Sequence, residues 1–125
     1  MTRQETNVAE LYLRSGGTGE TTYLLLHGLG ATGEVWDGLA DLIERNKAGR
    51  WLVPDFRGHG RSPWEKPYTY AALMADLIPL INEASRLVVI GHSMGGVVGL
   101  MLGGALPNVE RVLGVGIKVS WNEVE

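Results

Sequence analysis

A chain of 125 residues is long enough for one domain with a single core, and we expect residues 1–125 to form one. Its net charge of −3 and its 11 scattered lysines and arginines lack the clustered basic surface that nucleic acids or anionic membranes bind. No cysteine is present, which excludes disulfides, thiolate metal sites and a cysteine nucleophile. The polar first residues carry no secretory signal, which favours the cytoplasm.

The first half of the chain alternates apolar runs with one amphipathic segment. Residues 8–13 alternate loosely and predict an antiparallel edge strand, and residues 15–19 are turn-like. The continuous apolar run at 22–27 predicts a central strand covered on both faces. Apolar residues recur at helical spacing over 34–47, which predicts an amphipathic helix, and residues 51–54 predict a second strand.

The second half continues the same alternation. A helix is predicted over residues 70–84 despite Pro79, followed by a buried strand at 87–90. Residues 94–106 predict a buried helix that stops before Pro107, and residues 112–119 predict a last strand. Strands and helices that alternate at this spacing predict an α/β fold of three αβα layers with a mostly parallel sheet.

Gly91-His92-Ser93-Met94-Gly95 matches the pattern G-x-S-x-G where a predicted strand turns into a helix. Such a nucleophile elbow needs a tight, strained turn that lifts the serine hydroxyl clear of the sheet, and glycines at its two ends remove side chains that would collide. We therefore predict that Ser93 is a nucleophile. The following helix directs unpaired N–H groups and its positive dipole end at this point, so Met94 N–H is a predicted donor of an oxyanion hole.

A second oxyanion donor is expected from the loop that follows the strand at 22–27. In His27-Gly28-Leu29-Gly30 the backbone N–H groups are uncovered and can approach a substrate oxygen. We predict that Leu29 N–H is this donor, and that His27 and Gly28 support the turn.

Three motifs, His27-Gly28-Leu29-Gly30, residues 54–62 and residues 91–96, resemble successive signatures of the α/β-hydrolase family. The resemblance runs from about residue 11 to residue 119. It implies an incomplete α/β-hydrolase fold in which the strand at 22–27 lies between those at 51–54 and 87–90. It also implies a serine hydrolase, esterase-like, that acts on a small ester, amide or related acyl substrate without a cofactor or metal, with His92, Gly91 and Gly95 as supporting residues.

The resemblance further implies a triad acid and a catalytic histidine that follow the serine, whereas no histidine follows His92. A serine without a base is a weak nucleophile. His27 and His92 are assigned to the motif turns, His59 to its own loop, and Glu123 and Glu125 to solvated surface. We expect the isolated chain to be a truncated, inactive part of a hydrolase, or one completed by another chain or a second copy at the open sheet edge.

Two alternative functions remain open. Gly28, Gly30 and Gly33 match G-x-G-x-x-G after a strand, and Asp55 ends the next strand where a ribose-binding acid would lie, as in a Rossmann-type dinucleotide-binding domain. The other alternative is a non-catalytic binding module on the hydrolase scaffold, since fold alone does not establish function.

Two further groups of residues are assigned structural roles. Asp55 is predicted to form a loop-fixing charge network with Arg57 and Arg61. Packing or loop anchoring, rather than a substrate cage, is predicted for the four tryptophans, Trp36, Trp51, Trp64 and Trp121.

Overall fold

A computed structural model describes residues 8–117, where five strands and three α-helices follow one another along the chain. The strands are β1 (Leu13–Gly17), β2 (Thr21–Leu26), β3 (Arg50–Pro54), β4 (Arg86–His92) and β5 (Val109–Val115). The helices are α1 (Asp37–Arg45), α2 (Tyr70–Ile81) and α3 (Met94–Ala105), and a short 3-10 helix, Gly33–Trp36, leads into α1.

The strands form one sheet in the order β1-β3-β2-β4-β5. Only the pairing of β1 with β3 is antiparallel, and the other neighbours in the described sheet are parallel. The predicted α/β fold with a mostly parallel sheet is confirmed, and β2 lies between β3 and β4 as expected. Because the winding direction reverses at β2, a crevice opens at the carboxyl ends of these strands.

Successive residues of β2 point to opposite faces of the sheet and build two cores. Leu24 and Leu26 join the larger cluster, on the side that α2 and α3 cover. Leu25 lies on the other side with Ala40 and Ile43 of α1. All three leucines are fully buried, which explains why the apolar run has no polar alternation and confirms that helices cover both faces.

Helix α3 lies close to the sheet because glycines face it. A Cβ atom added at Gly99 would lie 3.1 Å from Val89 Cγ1, and one at Gly103 would lie 2.9 Å from Val112 Cγ2. Any larger side chain there would push the helix away from β4 and β5. The helix ends at Ala105, shortly before Pro107, which lacks the N–H group that a further turn would use.

The edge strand lies at Leu13–Gly17, so its prediction at residues 8–13 is wrong. Ser15 and Gly16, whose residue types indicated a turn, extend along β3 instead. The indole ring of Trp51 occupies the space beside Gly16, where an added Cβ atom would lie 2.6 Å from the ring atom Cζ2. The glycine therefore accommodates a tryptophan of the neighbouring strand rather than a change of direction.

Several predicted boundaries also shift. The helix predicted over 34–47 begins as the 3-10 segment and ends at Arg45, and α2 ends at Ile81 rather than at 84. Strands β4 and β5 begin at Arg86 and Val109 rather than at 87 and 112, and the predicted end of the last strand at 119 lies outside the described residues. None of the helices in residues 8–117 has the length and apolar character needed to cross a bilayer.

Candidate active site

Ser93 occupies the sharp turn between β4 and α3. Its backbone has φ 54° and ψ −118°, a conformation that a residue with a side chain rarely adopts. The surrounding structure holds it there: Ser93 N–H donates to Val115 O over 2.8 Å, and Ser93 O accepts from Gly96 N–H over 2.8 Å. The strain is located at the residue that the sequence motif predicts as the nucleophile.

Two glycines make room for this turn, as the motif predicts. A Cβ atom at Gly95 would lie 2.5 Å from Leu26 O and 2.6 Å from His27 O, and one at Gly91 would collide with the Gly95 carbonyl. The first turn of α3 therefore lies directly against the backbone that ends β2. This contact fixes the distance between the motif at residues 27–30 and the motif at residues 91–95.

The loop after β2 also touches the serine. A Cβ atom at Gly28 would lie 3.3 Å from Ser93 Cβ and 3.0 Å from His92 Nδ1. The predicted oxyanion donors, Leu29 and Met94, line one cavity of about 310 Å³ together with Ser93. Within residues 8–117 neither of their N–H groups has a hydrogen-bond partner. The structure thus brings together the predicted nucleophile and both predicted donors.

His27 is fully buried and holds two loops together. Its Nδ1–H donates to Gly28 O over 2.7 Å, and its Nε2 accepts from Phe56 N–H over 3.0 Å. Both ring nitrogens are therefore engaged in one neutral tautomer. Burial lowers the pKa of His27 below its ordinary value. This residue joins the loop after β2 to the loop after β3, and it cannot accept a proton from Ser93 without breaking a hydrogen bond.

The other two histidines, His59 and His92, make no hydrogen bond to Ser93 in the described part of the chain. His59 Nδ1 donates to Arg57 O over 3.0 Å within its own loop, as predicted. The ring of His92 is exposed and lies beside Gly28 and Gly116, where an added Cβ atom at Gly116 would approach His92 Nε2 to 3.3 Å. No hydrogen bond in the described part of the chain joins either ring to Ser93.

Asp55 fixes the loop that follows β3, but through backbone groups rather than ion pairs. Its Oδ1 accepts from Gly33 N–H over 2.7 Å, and its Oδ2 accepts from Arg61 N–H over 3.1 Å. The predicted charge network with Arg57 is wrong, because the Arg57 guanidinium is turned away towards helix α2. With both oxygens engaged and a residue exposure of 5%, this carboxylate is poorly placed to hold a ribose.

The ion pair of Arg57 is made with Asp76 of α2, a residue that sequence reasoning missed. Arg57 Nε and Nη2 donate to the two carboxylate oxygens over 2.6 and 2.7 Å, and both side chains are buried. These hydrogen bonds raise the pKa of Arg57. The available signal was the acid itself, because Asp76 interrupts the apolar stripe formed by Leu73, Leu77 and Leu80.

A second cavity, of about 480 Å³, lies beside the first and shares Leu29 and Met94 with it. Its lining includes Trp64, which is largely exposed, and Tyr68, which is about half exposed. The prediction that the tryptophans are anchors fits Trp36 and Trp51, which pack against the smaller core cluster, but Trp64 is 76% exposed. Trp121 lies outside the described residues.

The chain matches the family model described as the alpha/beta hydrolase family over residues 23–122. Because this match covers most of the sequence, the chain belongs to the α/β-hydrolase family. The dinucleotide-binding alternative is not supported, since the matching family is one of hydrolases and solved hydrolase structures share the fold.

Among curated proteins, the chain is 36% identical to lipase LipV of Mycobacterium tuberculosis over 97 residues, which covers 76% of this chain and 36% of that protein. It is 35% identical over 108 residues to an sn-1-specific diacylglycerol lipase of Danio rerio, covering 83% of this chain and 34% of the relative. The chain therefore spans about a third of the length of the curated relatives it matches.

Solved structures agree with this assignment. A hydrolase of Pseudomonas aeruginosa superposes with a TM-score of 0.74 at 34% identity, over 86% of this chain and 42% of the other. A marine microorganism esterase superposes with a TM-score of 0.77 at 29% identity, over 85% of this chain and 41% of the other. The homologues are thus esterases, lipases and related hydrolases.

Proposed function

We propose that Ser93 is the nucleophile of a serine hydrolase site for a small ester or related acyl substrate. The observation that carries this proposal is the strained backbone of Ser93 in one cavity with the unpaired N–H groups of Leu29 and Met94. The lipase and esterase names of the relatives support an ester as the substrate.

In the proposed reaction, Ser93 Oγ attacks the carbonyl carbon of the ester and forms a tetrahedral intermediate. The carbonyl π electrons move to its oxygen, which the N–H groups of Leu29 and Met94 hold as an oxyanion, and the hydroxyl proton passes to a base. When the C–O bond to the alcohol breaks, this proton leaves with the alcohol and an acyl-serine remains. Water then hydrolyses the acyl-serine by the same steps.

We propose that the base and the triad acid come from polypeptide outside this chain. The sequence contains three histidines, of which His27 joins the loops after β2 and β3 through both ring nitrogens and His59 bonds Arg57 O within its own loop. An additional segment would continue the sheet beside β5, one of the two edge strands of the described sheet, whose Leu113 and Val115 are exposed. The isolated chain is accordingly expected to hydrolyse p-nitrophenyl acetate at a negligible rate.

The proposal is tested by supplying the missing base as free imidazole. Intact mass after treatment with a fluorophosphonate is measured for the wild type and for Ser93→Ala, with and without imidazole. We expect one added label on the wild type, at a rate that rises with imidazole concentration, and none on Ser93→Ala. Equal labelling of the two folded proteins would overturn Ser93 as the nucleophile and favour a non-catalytic binding module.

A second arm addresses the source of the base separately. Rapid turnover of p-nitrophenyl acetate without imidazole, abolished by Ser93→Ala, would mean that the chain contains its own base. His59→Gln would then be compared with His92→Gln, because His59 lines the cavity beside the oxyanion donors.

A further inference from the structure

Tyr70, the first residue of helix α2, lines the same cavity as Ser93. Among the described residues that line this cavity, Ser93 and Tyr70 are the two whose side chains can donate a hydrogen bond. The others are apolar residues or glycine: Leu29, Met94, Val97, Gly116 and Ile117. Apart from the proposed nucleophile, Tyr70 therefore carries the side chain that can hold a polar group of a ligand there.

The sequence of α2 explains why Tyr70 faces this cavity. Leu73 and Leu77 follow Tyr70 by three and seven positions, a spacing that places all three side chains on one side of a helix. Both leucines are buried in the larger core cluster. Tyr70 continues their stripe at the beginning of the helix, where the core ends and the cavity with Ser93 begins.

The backbone around Tyr70 is fixed, whereas its hydroxyl group is free. Thr69 caps the helix, because its Oγ1 accepts from Ala72 N–H over 3.1 Å and its carbonyl oxygen accepts from Leu73 N–H over 3.0 Å. The Tyr70 hydroxyl has no hydrogen-bond partner within residues 8–117. A ligand can therefore bond to this hydroxyl without breaking a hydrogen bond inside the protein.

We propose that Tyr70 determines specificity: its hydroxyl donates to an oxygen atom that the substrate carries in addition to its reacting ester group. The substrate class is accordingly an ester with an ether or hydroxyl oxygen a few bonds from the carbonyl carbon, rather than a plain hydrocarbon ester. This inference rests on the proposed function, since it assigns a substrate class to the same site.

The oxygens of the ester group itself are poor partners for Tyr70. A carbonyl oxygen has two lone pairs, and the proposed donors Leu29 N–H and Met94 N–H use both. The alkoxy oxygen of an ester is a weak acceptor, because its lone pair is delocalised into the carbonyl group. A further oxygen on the acyl or the alcohol part is therefore the acceptor that the hydroxyl can bind.

The expected preference follows from the apolar surroundings of the hydroxyl. A methylene group placed beside it displaces water and offers no lone pair, whereas an ether oxygen in the same place accepts the hydrogen bond. Because Tyr70 is 46% exposed, its hydroxyl keeps part of its hydration, and the contact has the value of an ordinary hydrogen bond. This corresponds to about a fivefold change in affinity.

The test compares esters that differ by one oxygen atom. Methyl methoxyacetate and methyl butanoate have the same number of heavy atoms, and an ether oxygen in the first replaces a methylene group of the second. The pair 2-methoxyethyl acetate and butyl acetate makes the same exchange on the alcohol side. Binding is measured by ligand-observed NMR in the Ser93→Ala background, so that acylation cannot interfere.

The measured quantity is the affinity of each ether ester divided by that of its hydrocarbon counterpart. The hydration of the free ligands is the same for every variant, so a change in this ratio reports the contact with the protein. Tyr70→Phe should lower the ratio about fivefold for at least one pair. The matched control is Tyr68→Phe, because Tyr68 is 48% exposed and lines the neighbouring cavity, and it should change the ratio less than about twofold. Both variants keep the aromatic ring, so their thermal unfolding midpoints should equal that of the Ser93→Ala background.

The outcomes separate this inference from the proposed function. A ratio that Tyr70→Phe leaves unchanged in both pairs, or that Tyr68→Phe lowers equally, would overturn the role of Tyr70 even if fluorophosphonate labels Ser93. The absence of saturable binding for all of the esters would overturn it as well. A fall in the ratio that is confined to Tyr70→Phe would support it, even if Ser93 is never labelled.

Discussion

The buried ion pair between Arg57 and Asp76 gives the largest single effect on stability that we expect in this chain. Their side chains are 1% and 0% exposed, and Asp76 Oδ1 also accepts from Ala9 N–H over 2.8 Å. Asp76→Ala removes the carboxylate that accepts from the buried Arg57 guanidinium and from the Ala9 N–H. The expected loss in free energy of unfolding is about 3–5 kcal/mol, a large part of the 5–15 kcal/mol or so that is typical of a domain.

The assay is urea denaturation followed by circular dichroism, with an exposed ion pair as the control. Asp41 pairs with Arg45 at i,i+4 on α1, where both side chains are more than 60% exposed. Asp41→Ala should therefore cost no more than about 0.5 kcal/mol. The milder Asp76→Asn keeps the shape of the side chain and should cost less than Asp76→Ala.

The double variant Arg57→Met with Asp76→Leu separates the loss of the attraction from the cost of a buried, unpaired charge. Because neither charge then remains, it should be more stable than the sum of the two single changes predicts, by about 2 kcal/mol. Additive losses, or an Asp76→Ala loss no larger than that of Asp41→Ala, would refute the argument that burial makes this pair important.

Two further predictions concern the site. Because burial holds the pKa of His27 low, the imidazole takes up a proton in the unfolded chain at a higher pH than in the folded chain. The stability that neutral His27 contributes is therefore complete above about pH 7. It falls below about pH 6.5, by at most about 1.4 kcal/mol per pH unit. Denaturation from pH 5 to 8 should show this fall in wild type and in His59→Gln but a flatter profile in His27→Gln, and equal profiles would contradict it. In α3, Gly95→Ala should lower the unfolding midpoint because its methyl group meets Leu26 O. Gly104→Ala should raise stability by up to about 1 kcal/mol, because its methyl group meets nothing within 4 Å. Calorimetry measures both midpoints, and the opposite order of the two variants would contradict this prediction.

The elements that the sequence predicts best are those whose local pattern and tertiary environment agree. The apolar run of β2 has no polar alternation because both faces of the strand are covered, so its composition and its central position lead to the same prediction. Strand β1 shows the opposite case. Gly16 looks like a turn until Trp51 is known to lie beside it, and that contact joins residues 35 positions apart in the sequence.

The Arg57–Asp76 pair was missed for a related reason. The sequence places Arg57 close to Asp55, and proximity in the chain favoured that partner. In the structure, Asp55 uses its oxygens on backbone N–H groups of its own loop, while helix α2 brings Asp76 under the guanidinium. Distance along the sequence does not decide whether Arg57 pairs with a neighbouring acid or with one that lies 19 residues away on a helix packed against it.

The candidate site combines groups that the described chain places together with a base that we propose comes from outside it. Ser93, Leu29 and Met94 follow two neighbouring parallel strands, β2 and β4, so the sheet itself brings the proposed nucleophile and the proposed oxyanion donors together. Two of the three histidines are committed by hydrogen bonds to holding loops, and no described hydrogen bond aligns any of the three with the serine. Under the proposed function, stabilisation of the oxyanion and transfer of the proton are therefore separable: the N–H groups of Leu29 and Met94 perform the first, and the proposed external base performs the second. A rate of Ser93 labelling that rises with the concentration of added imidazole would follow from that separation.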